Sequence, residues 1–384
     1  MAVAKANKFR GLEIAMDNIR IEQHLLPADF DARTLPYGNS AFFAGYGLKV
    51  PNSLGEIYRR CNGVASDKYI SGSLYFYHIS PFLDNMNLSM AYVDKNMYFR
   101  HFPEVRQPET ILHCMARPRR NGGYYSADLN NEFSIEDAIE VLCKRDDFII
   151  KPSIESGRGR SVRRCNGVEL GRNGIKDLLN EFSSDFIVQG IVRQHKEMAR
   201  LNPTSLNTCR LYTYRPISGK EYVVLGAAVR FGGLGAYRDN ACTGGGFCRI
   251  DEEGAVEDKI HQYRRFGCGS LREEKGIDSL YIPNYRQLVS SALALHAKIP
   301  YIDLIGWDFA IDEAGVPVMI ELNQYPDCEF IQIFNGPMFG MYTEELMDAI
   351  SNGHIEPVTV YKQSFGSDMA HYEYNFVIGK QYSI

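Results

Sequence analysis

The sequence predicts a mixed α+β protein, and three observations carry that prediction. Apolar residues at i, i+3, i+4 and i+7 alternate along the chain with short β-branched and aromatic runs. The last two of those runs, 304–311 and 317–323, are joined only by a turn around Glu313-Ala314-Gly315, which favours antiparallel pairing over a βαβ crossover. The chain has 384 residues, 45% of them hydrophobic and 23% charged. That length allows about two or three domains and a large core that needs no disulfides or metals.

The first ~90 residues are rich in Tyr, Phe and Asn and carry little periodicity beyond a short helix at 54–60. Ser134, with Asp137 three residues later, is a capping-box pattern. Ile135, Ala138, Ile139 and Leu142 then give helical spacing over 135–145. The buried strand 148–150 runs into Lys151, and a Gly/Arg-rich loop follows at 155–160. Helical spacing returns with Ile175, Leu178, Leu179 and Phe182, followed by a strand at 186–188. Residue type makes 210–214 and 222–230 strands, with glycine-rich punctuation to residue 246. Residues 251–282 read as charged and irregular, and 284–298 as a helix closed by Pro300.

Net charge is −5, which argues against nucleic acid as the main partner, because that role needs a basic footprint. No run approaches the ~20 apolar residues of a membrane span, and the N-terminus lacks the apolar segment of a secretory signal. The nine cysteines form no CxxC pair and no Cys/His metal spacing. Reduced thiols in a cytoplasmic protein are the expectation.

Three constellations could carry chemistry. In DFIIKPSIESGRGRSV a strand delivers Lys151 to a loop containing Ser156, Gly157 and Gly159. Such a loop lets backbone N–H groups approach phosphate, although a surface turn with a solvated lysine fits as well. It is neither a Walker nor a Rossmann loop. In GWDFAIDEAGVPVMIELNQYP, a hairpin brings Asp308 toward Glu321 and Asn323. Strict alternation puts Gly306, Asp308 and Ala310 on one face, and Met319, Glu321 and Asn323 together on the partner strand. Two carboxylates and an amide oxygen suit Mg²⁺ with phosphate oxygens completing the shell; the competing reading is a solvated polar face. Arg210 and Arg230 stand in β-like stretches, where guanidinium binds phosphate bidentately or joins an ordinary ion pair.

The order of the pieces says more than any one. Asp94-Lys95, Pro108, Lys151 with its glycine loop, Val188-Gln189-Gly190-Ile191, Asn207-Thr208-Cys209-Arg210, Arg230, Asp239-Asn240 with glycines 244–246, and Gly306-Trp307-Asp308 with Glu321-Leu322-Asn323 follow in turn. This resembles the ATP-grasp superfamily, most of all its sugar-transfer-associated branch, related to glutamate-ligase-like enzymes, over roughly residues 90 to 350. The resemblance implies two α+β lobes clasping ATP: an N-terminal region at 1–90, a lobe at 91–190, a second lobe with the metal site at 191–350, and a tail at 351–384. It implies that Lys95 and Lys151 contact the phosphates and that 156–161 closes over them. Gln189, Gly190 and Ile191 would read adenine, with His195 on the ribose side. Asp308, Glu321 and Asn323 would hold Mg²⁺, and Arg210 and Arg230 would face the transferred phosphoryl group. The superfamily often has Glu where this chain has Gln189.

The activity so implied is an ATP-dependent carboxylate–amine ligase working through an acyl phosphate. Its carboxylate would be a surface-glycan sugar acid, an amino acid or a peptide. A nucleotide-binding scaffold without turnover and a small-molecule kinase are the rival readings. The N-terminal region, 251–282 and the tail are where acceptor specificity is expected.

Overall fold

The computed structural model describes residues 25–117, 120–154, 162–233, 235, 245–263, 265–266, 269–352, 359–363 and 374–378. Two antiparallel sheets dominate. The first comprises β1 (Thr110–Arg117), β2 (Arg120–Ser126), β3 (Glu132–Phe133), β4 (Asp147–Pro152), β5 (Arg163–Asn166) and β6 (Phe186–Gly190), in the order β3-β2-β1-β6-β4-β5. The second comprises β7 (Thr208–Tyr214), β8 (Val223–Phe231), β9 (Gly246–Ile250), β10 (Leu304–Ile311) and β11 (Pro317–Asn323), in the order β11-β10-β7-β8-β9. A separate hairpin pairs β12 (Thr359–Gln363) with β13 (Tyr374–Ile378).

Ahead of the sheets lie helices α1 (Asn52–Asn62) and α2 (Met86–Val93). The helix expected at 54–60 is thus present and longer. In the first lobe, α3 (Ile135–Cys143) starts on the expected capping box of Ser134 and Asp137. Helix α4 (Gly167–Phe182) breaks at Gly171, whose φ of 59° suits glycine. Both helices cover the first sheet, and Ile139, Leu142, Ile175 and Leu179 close a core over Leu112, Phe148, Ile150 and Val188.

The second sheet is buried on both faces. Cys209, Leu211, Val229, Trp307 and Phe309 meet α5 (Tyr285–His296) on one side. Tyr212, Tyr214, Ala228 and Phe247 meet the N-terminal helices, α6 (Cys328–Asn335) and α7 (Thr343–Asn352) on the other. The fully buried Gln332 of α6 docks the N-terminal region. Its side chain accepts from Ile70 N at 2.8 Å and donates to Ile70 O at 2.9 Å, as a strand neighbour would.

One expectation fails instructively. Strict alternation groups Met319 with Glu321 and Asn323, but β11 carries a bulge. Phe309 pairs with Met319 while Asp308 pairs with Glu321, so Ile320 is the extra residue. Met319 and Leu322 therefore both enter the core around Trp307, and Val318 faces the other way opposite Ala310. With regular pairing continued past Met319, Ile320 would lie opposite Asp308 and Glu321 opposite Trp307, in that core. The bulge turns Glu321 and Asn323 onto the face of Asp308.

Candidate functional site

The site is assembled where the two sheets meet. Asp308 is directly opposite Arg210 on β7 and Glu321 on β11, so register alone brings these three together. Gly306, two pairs further along and on the same face, is obligatory. A Cβ there would lie 2.6 Å from Pro326 Cβ and 3.6 Å from Arg210 Cδ. Arg210 donates from Nε to Asp308 Oδ1 at 2.5 Å and from Nη2 to Oδ2 at 2.8 Å, a bidentate pair. Arg230, from β8, reaches Asp308 Oδ2 with Nη2 at 3.1 Å. It also donates to Thr208 Oγ1 from Nε at 3.2 Å and from Nη2 at 2.9 Å. Burial by itself would raise the Asp308 carboxyl, but the two guanidinium groups outweigh it and hold the carboxyl below its ordinary value.

Two lysines approach from the first lobe and its leading turn. Lys95 Nζ lies 3.0 Å from Glu321 Oε1. The turn that carries Lys95 is fixed to both sheets. Lys95 N donates to Ser153 O at 3.0 Å, just past β4, and Tyr98 Oη accepts from Leu322 N of β11 at 3.0 Å. Lys151 sits buried near the end of β4. Burial, then the neighbouring Lys95, lowers it to about 8, while Glu321 and Asp308 pull the other way.

A buried amide network supports the arginine strand. Asn207 Nδ2 donates to Gln194 Oε1 at 3.0 Å, Met198 O at 2.8 Å and Asn202 O at 2.8 Å. Asn202 Nδ2 in turn donates to Gly232 O and Gly233 O, both at 3.0 Å, tying the end of β8 to the start of β7. Each of these amides is deep enough that an unmade hydrogen bond would be costly.

Of the residues expected at the site, Lys95, Lys151, Arg210, Arg230, Asp308 and Glu321 lie in this cluster. Asn323 is beside it, with Nδ2 donating to Gly306 O at 3.2 Å. Gln189 is buried on β6 between Thr110 and Ile149, Gly190 N donates to Glu109 O at 2.8 Å, and Ile191 follows at the surface. His195 is elsewhere: its Nδ1 accepts from Glu197 N at 3.2 Å as a helix cap, and its backbone pairs with Ile311 at the turn end of β10. Ser156, Gly157 and Gly159 lie outside the described residues, as do Asp239, Asn240 and Gly244. Thr208, Tyr98 and the Gln194–Asn207 pair had no assigned role in the sequence reading. Asn207 and Thr208 entered it only within the Asn207-Thr208-Cys209-Arg210 motif, and Tyr98 and Gln194 not at all.

Among the described residues no group of three His, Cys, Asp or Glu is arranged to hold a metal ion. The set expected for magnesium is smaller, two carboxylates and an amide oxygen. These are hard donors of the kind magnesium takes when phosphate oxygens and waters supply the rest of its shell. Glu321 is partly open, and the bulge aims it at the Asp308 face, so the donor set fits the ion.

Two lobes of antiparallel sheet and helix with a cationic seam make this an α+β ATP-grasp fold. Residues 124–345 match the family described as sugar-transfer associated ATP-grasp, and the chain belongs to that family. The solved structures similar to it include D-cycloserine synthetase DcsG, at 14% identity over 70% of this chain and 73% of that one, TM-score 0.41. They also include the ATP-grasp ligase PsnB with minimal precursor, Mg and ADP, at 13% identity over 70% and 62%, TM-score 0.37. D-alanine–D-alanine ligase from Bacillus anthracis follows at 10% identity over 70% and 71%, TM-score 0.38. No curated protein matches the chain. Among the described residues no helix is long and apolar enough to cross a membrane.

Proposed function

We propose that the protein is an ATP-dependent ligase that joins a carboxylate to an amine through an acyl phosphate. The observation that carries this reading is the meeting of Arg210 and Arg230 on Asp308, beside the Lys95–Glu321 pair and the buried Lys151. Lys95 and Lys151 hold the ATP phosphates, and the backbone of Gln189, Gly190 and Ile191 borders the adenine. Asp308, Glu321 and Asn323 would hold magnesium, which when bound offsets phosphate charge. A substrate carboxylate oxygen forms a bond to the γ-phosphorus as the bond to ADP breaks. The amine nitrogen then attacks the acyl carbon, loses a proton and expels phosphate. The arginines steady the charge on the transferring phosphoryl group, and the closed seam keeps water out. No side-chain nucleophile is needed, and the buried thiols are poorly suited to be one: burial raises Cys114 to about 12 and Cys209 higher still.

The family's description, sugar-transfer associated, supports a carboxylate on a sugar acid or glycan precursor, with amino acids and peptides as the other candidates. The test is ADP release with panels of carboxylates and amines, with products identified by mass spectrometry. Amide formation with one ADP per bond is expected, and Asp308→Ala and Glu321→Ala should each lower turnover about a hundredfold or more. A stable phosphorylated product with no amide, or full turnover in both variants, would overturn the reading.

A further inference from the structure

Asp308 is already spoken for. Both of its oxygens accept from Arg210, and Arg230 adds a second guanidinium on Oδ2. Glu321 is likewise held by Lys95. A bare divalent cation approaching this seam must displace positively charged groups from each carboxylate. It also meets the positive charge of Lys95, Lys151, Arg210 and Arg230 around Asp308 and Glu321. A triphosphate changes that balance, since it gives the cations new partners and the ion additional oxygens.

The two arginines are not equivalent in this exchange. Arg210 is buried, matches both carboxylate oxygens and lies against Tyr212, so leaving Asp308 would strand a buried charge. Arg230 is the more exposed of the two, contacts Asp308 at the longer distance and shares its guanidinium with the Thr208 hydroxyl. Thr208 therefore keeps the Arg230 side chain over the site when its hold on Asp308 is given up.

We infer that Asp308 is released to a divalent cation only when a phosphate draws Arg230 away, so that the cation enters with the nucleotide and not before it. Arg210 then stays on Asp308 as a positioning residue, and Arg230 is the exchangeable arm. This rests on the ATP-dependent reading above and adds an order of events to it.

Mn²⁺ titrations of the full chain followed by electron paramagnetic resonance, without nucleotide, test the inference directly. The wild-type protein should bind Mn²⁺ at least tenfold more weakly than Arg230→Gln, which uncovers one oxygen of Asp308. Arg230→Lys keeps the charge and should stay near wild type. Adding Asp308→Asn to Arg230→Gln should erase the gain. Equal Mn²⁺ affinity in wild type and Arg230→Gln overturns the inference. A gain that survives Asp308→Asn overturns it too, because the ion would then sit elsewhere. Calorimetry with Mg·ATP, run in parallel, separates the two claims. ATP binding with the contrary Mn²⁺ result leaves the ATP site standing and removes only the exchange, whereas absence of ATP binding removes both.

Discussion

At the scale of single residues, Lys151 makes the most exposed prediction. Its ammonium is buried and lowered to about 8, so it loses its charge within the range where such an enzyme can be assayed. Above that value the group is a neutral amine and holds a phosphate poorly. ATP affinity should therefore fall as pH rises from 7 to 9, and calorimetry should show the slope vanish in Lys151→Ala. The same variant should bind ATP at least about tenfold more weakly at pH 7. An unchanged affinity at pH 7 would mean that Lys151 faces no phosphate. Lys95 and Glu321 add a different lesson. Each stands out in the sequence as a charged residue, yet nothing in the sequence couples residues so far apart. Only the turn fixed by Ser153 and Tyr98 makes them partners.

At the scale of elements, the hairpin of β10 and β11 was legible and its bulge was not. Two apolar runs and a short turn at Glu313-Ala314-Gly315 suffice to predict the pairing, and Gly315 then takes a φ of 80° that suits glycine. Which residue of β11 is extra depends on Met319 and Leu322 entering the same core, and that is a property of the packing around Trp307. The consequence can be tested. Deleting Ile320 removes the bulge, yet Glu321 then follows Met319 directly and stays opposite Asp308, with Leu322 opposite Trp307. Alternation alone then keeps its carboxylate on the side of Lys95 and out of the core. The deletion should therefore keep ADP release within about tenfold of wild type, as should Ile320→Ala, which keeps the extra residue. A folded deletion protein that loses turnover about a hundredfold would show that the local twist of the bulge, and not the pairing register, sets the position of Glu321. Of the N-terminal helices, α1 was legible in part, at 54–60, and α2 was not. Helix α2 is short and weakly periodic, and contacts such as Gln332 to Ile70 hold the N-terminal region from outside.

At the scale of the molecule, the second sheet is enclosed on both faces, and the enclosure traps histidines. His296 Nε2 lies 2.9 Å from Ile302 O and Nδ1 lies 2.7 Å from Thr213 Oγ1, which also accepts from Trp307 Nε1 at 2.8 Å. The Ile302 carbonyl places a proton on Nε2, and the Thr213 hydroxyl can donate to Nδ1 of the neutral ring that burial favours. His261 is buried on the opposite face, stacked on Phe247. Burial lowers both to about 4, against an ordinary value of 6.5. Between those values the unfolded chain takes up the protons that the folded chain refuses. Stability is therefore complete above about pH 6.5 and is lost as pH falls toward 4. At pH 5 each ring should cost about 2 kcal/mol. Asp308, whose carboxyl is depressed, keeps its contribution across this window and loses it only at lower pH. Urea midpoints measured at pH 7.5 and 5 should therefore drop steeply, and His296→Gln should flatten the drop even though it lowers the midpoint at pH 7.5. A midpoint that does not move between these pH values would show that neither ring is held neutral by the fold.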